Sequence, residues 1–164
     1  MNISNAITIR QATRADVPLI LTFIRALAEY EKLLELVSAT EAKLHATLFG
    51  ERPAAETLLA YLGDQPVGFA LFFQNYSTFL AQPGIYLEDL YVNPDARGHG
   101  IGLALIRAIA KLAHDRGCAR MDWAVLDWNT PAIEFYRRIG AQPQTEWTTQ
   151  RLTGEALLRM AGGV

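Results

Sequence analysis

The segment Arg97-Gly98-His99-Gly100-Ile101-Gly102 lies between an apolar run typical of a strand, Tyr86 to Val92, and a run typical of a helix, Leu103 to His114. Glycine at every second position lets backbone N–H groups approach a ligand closely. The helix that follows turns the positive end of its dipole towards the same point. This order of strand, loop and helix predicts a cradle for a diphosphate group.

Two common phosphate-binding motifs do not fit this loop. A dinucleotide fingerprint needs a third glycine, but that position is Leu103 counted from Gly98 and Leu105 counted from Gly100. A P-loop needs Gly-Lys-Ser/Thr, which the sequence lacks. The loop therefore predicts a diphosphate cradle of another class, and the alternative is a glycine-rich turn that binds nothing.

Composition favours one compact enzyme domain over residues 1–164. Of the 164 residues, 51% are hydrophobic and 20% are charged, which is enough to bury a sizeable core. The net charge is −2 and the longest basic run is Arg137-Arg138, so we expect no nucleic-acid partner. No apolar stretch approaches the roughly 20 residues that span a bilayer, so we expect no membrane partner. The lone Cys118 and the absence of a secretory pattern favour the cytoplasm.

No metal site is predicted. His45, His99 and His114 stand far apart, and none has a further ligand residue at metal-binding spacing. Cys118 precedes an apolar run and has no Cys-His signature, so we interpret it as a core residue.

Hydrophobic periodicity predicts an α/β (α+β) arrangement of strands and helices. Asp16 and Thr40 are suited to precede helices, and Gly50 and Gly140 are suited to follow them. The strands are predicted at Ile7–Arg10, Thr57–Leu62, Val67–Phe73, Gly84–Val92, Arg120–Leu126 (buried) and Gln144–Leu152. The helices are predicted after Asp16, from Thr40 to Phe49, at Leu103–His114, from Thr130 to Arg138 and, as a short turn, at Gly154–Met160.

The chain resembles the GCN5-related N-acetyltransferases (GNAT), whose loop has the form Arg-x-x-Gly-x-Gly. Four motifs occur in the family's order. They are Ile9-Arg10-Gln11-Ala12-Thr13, Val67-Gly68-Phe69-Ala70, Leu87-Glu88-Asp89-Leu90-Tyr91-Val92 and Asn129-x-Pro131-x-Ile133-x-Phe135-Tyr136-x-Arg138-x-Gly140. Within the family, the chain is most similar to the spermidine/spermine and thialysine acetyltransferases. That narrower similarity rests on Leu27-Ala28-Glu29-Tyr30-Glu31, Tyr86-Leu87-Glu88-Asp89 and Trp128-Asn129.

The resemblance implies a GNAT fold, with a central, mixed, mostly antiparallel twisted sheet of about six to seven strands flanked by about four helices. It implies an N-acetyltransferase that takes acetyl-CoA as co-substrate and acetylates a primary amine of a small molecule, a diamine, polyamine or lysine-like amino acid. It also implies a homodimer. The apolar stretch from Phe69 to Phe79, with Trp147, offers surface for it, and the alternative is that these residues fill one core.

By resemblance, three groups of residues contact acetyl-CoA. The strand end would place a backbone amide on the thioester carbonyl, if a bulge or splay frees that amide from the sheet. The glycine loop would hold the diphosphate, with Arg97 as the cation. The three groups are Leu90, Tyr91 and Val92; Arg97, Gly98, His99, Gly100, Ile101, Gly102 and Leu103; and Asn129, Pro131, Ala132 and Tyr136.

The acid and base of acetyl transfer also have candidates. Tyr136 lies seven residues after Asn129, about two helical turns, so both project towards one side of a helix. The resemblance implies that Tyr136 protonates the leaving thiolate, and the alternative is an ordinary core tyrosine. It implies that Glu88 deprotonates the amine, through a water molecule. Alternation sends Glu88 and Asp89 to opposite faces of a strand, so at most one should line a given pocket.

Substrate amines titrate near pH 10 and arrive charged, so the site needs acidic residues. The resemblance assigns amine binding to Tyr30, Glu31, Glu88 and Asp89, whereas a carboxylate in a purely structural ion pair is the alternative.

Late in the chain the sequence departs from the polyamine enzymes. They carry an acidic pair followed by Gly-Trp-Arg, and this chain has Thr145-Glu146-Trp147-Thr148-Thr149. One acidic group is missing or displaced, which leaves shorter diamines, lysine-like amino acids and peptide amines open as substrates. A protein N-acetyltransferase and a non-catalytic acyl-CoA-binding module are the alternative functions.

Overall fold

The structure is a computed structural model that describes residues 6–163. These residues form two compact units, which divide between Ala124 and Val125. Within the described part of the chain, the first unit contains five strands and three α-helices, and the second contains two α-helices. The single domain expected over residues 1–164 stays a prediction.

The first unit is built on a mixed, mostly antiparallel sheet, which confirms the predicted class. Its strands lie in sequence order, the first four antiparallel and the last parallel to its neighbour. A two-residue turn at Gly63-Asp64, with Gly63 at a φ of 59°, joins the second and third strands. The strands are β1 (Ile7–Gln11), β2 (Glu56–Leu62), β3 (Gln65–Ser77), β4 (Gln82–Val92) and β5 (Met121–Trp123).

Three α-helices accompany the sheet, each close to its predicted position. They are α1 (Val17–Tyr30), α2 (Glu41–Phe49) and α3 (Ile101–Asp115). Thr40 caps α2, since its hydroxyl accepts a hydrogen bond from the Lys43 N–H. Among residues 6–163, no helix has both the length and the apolar character that crossing a membrane requires.

Asp16 connects the end of β1 to the start of α1. Its carboxylate accepts hydrogen bonds from the Thr13 N–H (2.7 Å) and from both terminal nitrogens of Arg10 (2.8 Å each). The Arg10 guanidinium holds the pKa of Asp16 well below its ordinary range, and the Thr13 hydrogen bonds lower it further. These contacts tie the end of β1 to the residue that precedes α1.

The helices bury both faces of the sheet. On one face, Phe23 of α1 stacks on Phe69 at 5.6 Å between ring centres and packs beside Tyr91 of β4. Alternation places the buried side chains of Leu58 and Ala70 on the opposite face, where α3 packs against the strands. The strand that carries Glu88 and Asp89 is therefore held between two apolar layers.

The second unit contains α4 (Thr130–Arg138) and α5 (Gly154–Met160). Gly140 follows α4 with a φ of 94°, as its place after the helix predicted. The strand predicted at Gln144–Leu152 is wrong, since these residues are irregular and exposed. Trp147 and Leu152 are their only large apolar side chains, so a strand there would have little surface to bury.

The expected numbers of strands and helices are therefore corrected. The described residues form five strands instead of about six to seven, and five α-helices instead of about four. The buried strand expected at Arg120–Leu126 is shorter and half-buried, because β5 lies at the sheet edge and pairs only from Met121 to Trp123. Its last partner is Leu87, the residue at which β4 loses regular register.

Candidate active site

A β-bulge interrupts β4 at Glu88. On β3, Leu71 is paired with Asp89 and Phe72 with Leu87, so Glu88 is the extra residue. The ladder between β4 and β5 ends at the same level, at the pair Leu87–Trp123. The disruption that was expected around Leu90 to Val92 therefore begins earlier, at Glu88. The pairing of β4 with β5 ends just before those residues.

The bulge lies beside a group of three carboxylates. Glu88 is exposed, whereas Asp89 and Glu31 are half-buried. Burial, and then the negative charges of Glu88 and Glu31, raise the pKa of the Asp89 carboxyl to about 6. Burial also raises the pKa of Glu31. The charges of Glu88 and Glu31 thus both act on Asp89, and a positively charged ligand beside Asp89 would relieve that repulsion.

The end of α1 brings Glu31 to this group. The N–H groups of Lys32 and Leu33 donate to the carbonyls of Glu29 (3.0 Å) and Ala28 (2.8 Å), which closes the helix with a Schellman motif. Lys32 holds the left-handed position of this motif, with a φ of 61°, where glycine is usual. The sequence does not predict this conformation at Lys32, because nothing in a lysine signals positive φ.

The glycine loop has the conformation that a cradle requires. Gly98 and Gly100 have φ values of 80° and 81°, and a Cβ atom added to either would meet nothing within 4 Å. Glycine is therefore needed for the backbone angle, while the space around it is open. Since α3 begins at Ile101, the N–H groups of Ile101, Gly102 and Leu103 lie in the first helical turn, where they lack intrahelical partners. Open space and free donors fit a diphosphate.

Arg97 and His99, at the start of this loop, already have partners. The Arg97 Nε donates to the Val92 carbonyl (3.0 Å), and its guanidinium lies 4.6 Å from the centre of the Tyr30 ring. The His99 Nδ1 lies 3.0 Å from the Arg97 carbonyl oxygen. Contacts from Arg97 and His99 to a cofactor stay predictions.

Tyr91 can offer a ligand only its backbone, because its side chain is buried beside Phe23 at 5.9 Å between ring centres. Burial raises the pKa of its hydroxyl. Leu90 and Val92, its neighbours, are half-buried.

The second unit carries the other predicted residues. The Asn129 side chain caps α4 by accepting a hydrogen bond from the Ala132 N–H (3.4 Å), and Pro131 lies in the first turn. Tyr136, further along α4, is half-buried with its ring 5.4 Å from that of Phe135. Tyr136 thus lies on α4, and its projection towards the same side as Asn129 and its role as an acid stay predictions.

Two other features of the described residues bear on the site. A cavity of about 590 Å³ opens between the end of α2 and the start of β2, but none of the predicted site residues lines it. Within residues 6–163, no group of three or more His, Cys, Asp and Glu side chains could hold a metal ion. The predicted site residues of the first unit lie around the bulge and in the glycine loop, and we take these two features as its candidate active site.

Comparisons with known proteins agree with this geometry. The profile of the Acetyltransferase (GNAT) family matches residues 24–141. Thialysine N-epsilon-acetyltransferase of Bos taurus is 42% identical over 167 residues, which cover 95% of this chain and 98% of that protein. L-ornithine N5-acetyltransferase NATA1 of Arabidopsis thaliana is 36% identical over 194 residues, covering 91% of this chain and 85% of that protein.

A solved structure extends the likeness to three dimensions. The integron cassette protein VCH_CASS6, from the mobile metagenome of V. cholerae, superposes with a TM-score of 0.79 at 28% sequence identity. The superposition covers 94% of this chain and 97% of that chain.

Proposed function

The chain belongs to the GNAT family of acetyltransferases, and from this premise we propose that it transfers the acetyl group of acetyl-CoA to the side-chain amine of a lysine-like amino acid. Its N-acetyltransferase activity follows from its relatives. The substrate is proposed because relatives that align over most of this chain are named for acetylating thialysine and ornithine.

The group of Glu31, Glu88 and Asp89 is the observation that carries this proposal. A side-chain amine with a pKa near 10.4 is cationic at neutral pH. Burial and the negative charges of Glu88 and Glu31 raise the pKa of Asp89 to about 6, and a cation bound beside Asp89 would be attracted by these charges. Tyr30, next to Glu31 at the end of α1, completes the set proposed to bind the amine.

Acetyl-CoA would supply the activated acetyl group as a thioester. In the first unit, the residues proposed to hold it are the glycine loop from Arg97 to Gly102, with Leu103, and the backbone of Leu90, Tyr91 and Val92 after the bulge. In the second unit, they are Asn129, Pro131, Ala132 and Tyr136. The positive φ angles of Gly98 and Gly100 and the free N–H groups of the first turn of α3 support the assignment.

Two side chains are proposed to move protons. Glu88, exposed at the bulge, accepts the proton that the ammonium group must lose, through a water molecule. Asp89, which is more buried, holds the ammonium group by charge. The Tyr136 hydroxyl gives its proton to the thiolate that leaves. General acid and general base catalysis each contribute typically 10² to 10⁴ in rate.

Gly100→Ala tests the cradle. Alanine must adopt a φ of 81° or change the loop, which costs about 1–2 kcal/mol, and we expect the Kd for CoA to rise at least fivefold by calorimetry. Gly117→Ala is the matched control, because Gly117 also has a positive φ (69°) and an added Cβ also meets nothing within 4 Å. Equal Kd values for the two variants would contradict the assignment of the loop.

Asp89→Asn tests the acidic group through its pH dependence. Because Asp89 has a pKa of about 6 and must be ionised to attract the amine, we expect kcat/KM of the unmodified chain to fall as the pH drops below 6. In Asp89→Asn, kcat/KM should be at least tenfold lower at pH 7.5, and the decline near pH 6 should be absent. Asp64→Asn is the control at the exposed turn between β2 and β3, and it should still show the decline of kcat/KM near pH 6. A decline that persists in Asp89→Asn belongs to another group.

Asp89→Asn, which should lower activity, should also make the folded chain more stable. The pKa of Asp89 is raised on folding, so its ionisation costs stability as the pH rises from about 4 to 6, and the full cost remains above that range. Asp89→Asn should therefore raise the free energy of unfolding by about 1–3 kcal/mol at pH 8 and leave it unchanged near pH 3. Urea unfolding at the two pH values measures both.

A substrate panel tests the proposed class. We expect kcat/KM for thialysine and ornithine to exceed that for spermidine and for a lysine-containing peptide at least tenfold. The weaker acidity of residues 145–149 disfavours a long polycation. Preference for the peptide or for spermidine would overturn the substrate and leave the reaction class in place.

The homodimer and the cytoplasmic location are also proposals. Phe69 and Phe72 are buried in the first unit, so they offer no surface to a partner, whereas Tyr76 and Phe79 near the tip of the β3–β4 hairpin are exposed. These two aromatic rings are available to a second copy of the chain. Light scattering on the purified protein measures the oligomeric state.

A further inference from the structure

We propose that Arg97 and Tyr30 form a clasp between the glycine loop and the acidic end of α1, so that CoA and the amine bind cooperatively. The proposal rests on the function proposed above. It assigns to Arg97 and Tyr30 a positioning role in addition to the ligand contacts proposed above.

The Arg97 side chain joins three elements. Arg97 is the first residue of the glycine loop, its Nε donates to the carbonyl of Val92 at the end of β4, and its guanidinium lies over the ring of Tyr30 at the end of α1. The distance of 4.6 Å to the ring centre is within the range of a cation–π contact. One side chain therefore ties the start of the cradle to the end of α1.

Arg97 can keep this contact while it binds an anion. A guanidinium group stacks through its face, whereas its five N–H donors point outward in its plane. The guanidinium carbon lies 4.6 Å from the centre of the Tyr30 ring, the Val92 carbonyl accepts from Nε, and the two terminal nitrogens carry four more donors. A diphosphate bound by those donors would hold the guanidinium group in place, and with it the contact to Tyr30.

The end of α1 needs such support. Glu31 follows Tyr30 directly, and Lys32 holds a φ of 61°, a conformation that is unfavourable for a residue with a Cβ atom. A strained cap persists only where its surroundings hold it. Contact with Arg97 restrains Tyr30, and so restrains the carboxylate of Glu31 beside Asp89.

The glycine loop is the element through which CoA binding would act on Arg97. A Cβ atom added to Gly98 or Gly100 would meet nothing within 4 Å, so side-chain packing leaves room for a ligand at this part of the loop. Ordering of the loop by CoA would order Arg97, Tyr30 and Glu31 in turn. Coupling between two sites is reciprocal, so the amine must tighten CoA binding by the same factor.

Calorimetry tests the clasp. We would measure the Kd of CoA with and without saturating thialysine, and the Kd of thialysine with and without saturating CoA, so that no turnover occurs. In the unmodified chain we expect each ligand to tighten the other about fivefold or more. Tyr30→Phe keeps the ring and should keep this coupling factor. Tyr30→Leu should bring the coupling factor close to one, while the Kd of CoA alone changes less than twofold.

Tyr61→Leu is the matched control, because Arg10 lies over the Tyr61 ring at 5.0 Å in a similar contact elsewhere on the sheet. It should leave the coupling factor unchanged. Arg97→Lys tests the contact from the other side, since lysine keeps the charge but not the planar group, and it should also lose the coupling. This variant decides the question if Tyr30→Leu does not fold.

The outcomes separate the clasp from the proposed function. If both ligands bind the unmodified chain but show no coupling, or if Tyr30→Leu and Arg97→Lys keep it, the clasp is overturned and the function stands. If the unmodified chain does not bind CoA, the proposed function fails and the clasp fails with it. Loss of coupling in Tyr61→Leu as well would show a general effect on folding and would also overturn the clasp.

Discussion

Glu88→Gln is expected to lower kcat for the amine at least a hundredfold, because an amide cannot accept the proton that the ammonium group must lose. Glu88 is the exposed extra residue of the β4 bulge, directly beside Asp89. Glutamine has the same shape, so the bulge and its pairing should survive. Initial rates of CoA release at pH 7.5 measure the effect.

The pH dependence of this defect separates a base from a structural residue. As the pH approaches 10, a growing fraction of the amine is already neutral, so the defect of Glu88→Gln should shrink. Glu51→Gln, which removes an exposed carboxylate between α2 and β2, is the control and should stay within twofold of the unmodified chain. A Glu88→Gln protein with more than half of the original kcat would contradict the assignment of the base.

Tyr136→Phe should lower kcat at least tenfold, which corresponds to about 1.4 kcal/mol in the barrier. The ring of Tyr136 packs beside Phe135 on α4, and phenylalanine preserves that packing while it removes the hydroxyl. The defect should shrink with an acetyl thioester whose thiol is more acidic, because such a thiolate leaves without protonation.

The control for Tyr136→Phe is Tyr76→Phe, since Tyr76 is an exposed tyrosine on β3. It should leave kcat unchanged. If Tyr136→Phe also leaves kcat unchanged with both thioesters, Tyr136 is an ordinary packing residue, and the thiolate leaves either unprotonated or with a proton from water.

Elements with a local signal were predictable from the sequence. The Thr40 cap and Gly50 limit α2, and Gly63-Asp64 sets the turn between β2 and β3. The glycines at 98 and 100 have the positive φ that a close-approach loop requires. In each case the deciding interaction joins residues a few positions apart, so the pattern of residue types contains it.

Features that depend on distant pairing were not predictable. The bulge at Glu88 exists only in the register between β3 and β4, and the β4–β5 ladder ends at the same level. The pKa of Asp89 is raised first by burial in the fold, then by the charge of Glu88 and by that of Glu31, which is far away in the sequence and lies at the end of α1. The contact between Arg97 and Tyr30 likewise requires the fold.

The central claim is acetyl transfer to the side-chain amine of a lysine-like amino acid. The most direct measurement incubates the purified chain with acetyl-CoA and thialysine and identifies the product by mass spectrometry and NMR. The account predicts one acetyl group on the side-chain nitrogen and one CoA released for each product. CoA release without acetylated thialysine, acetylation of the α-amine, or no reaction would contradict it.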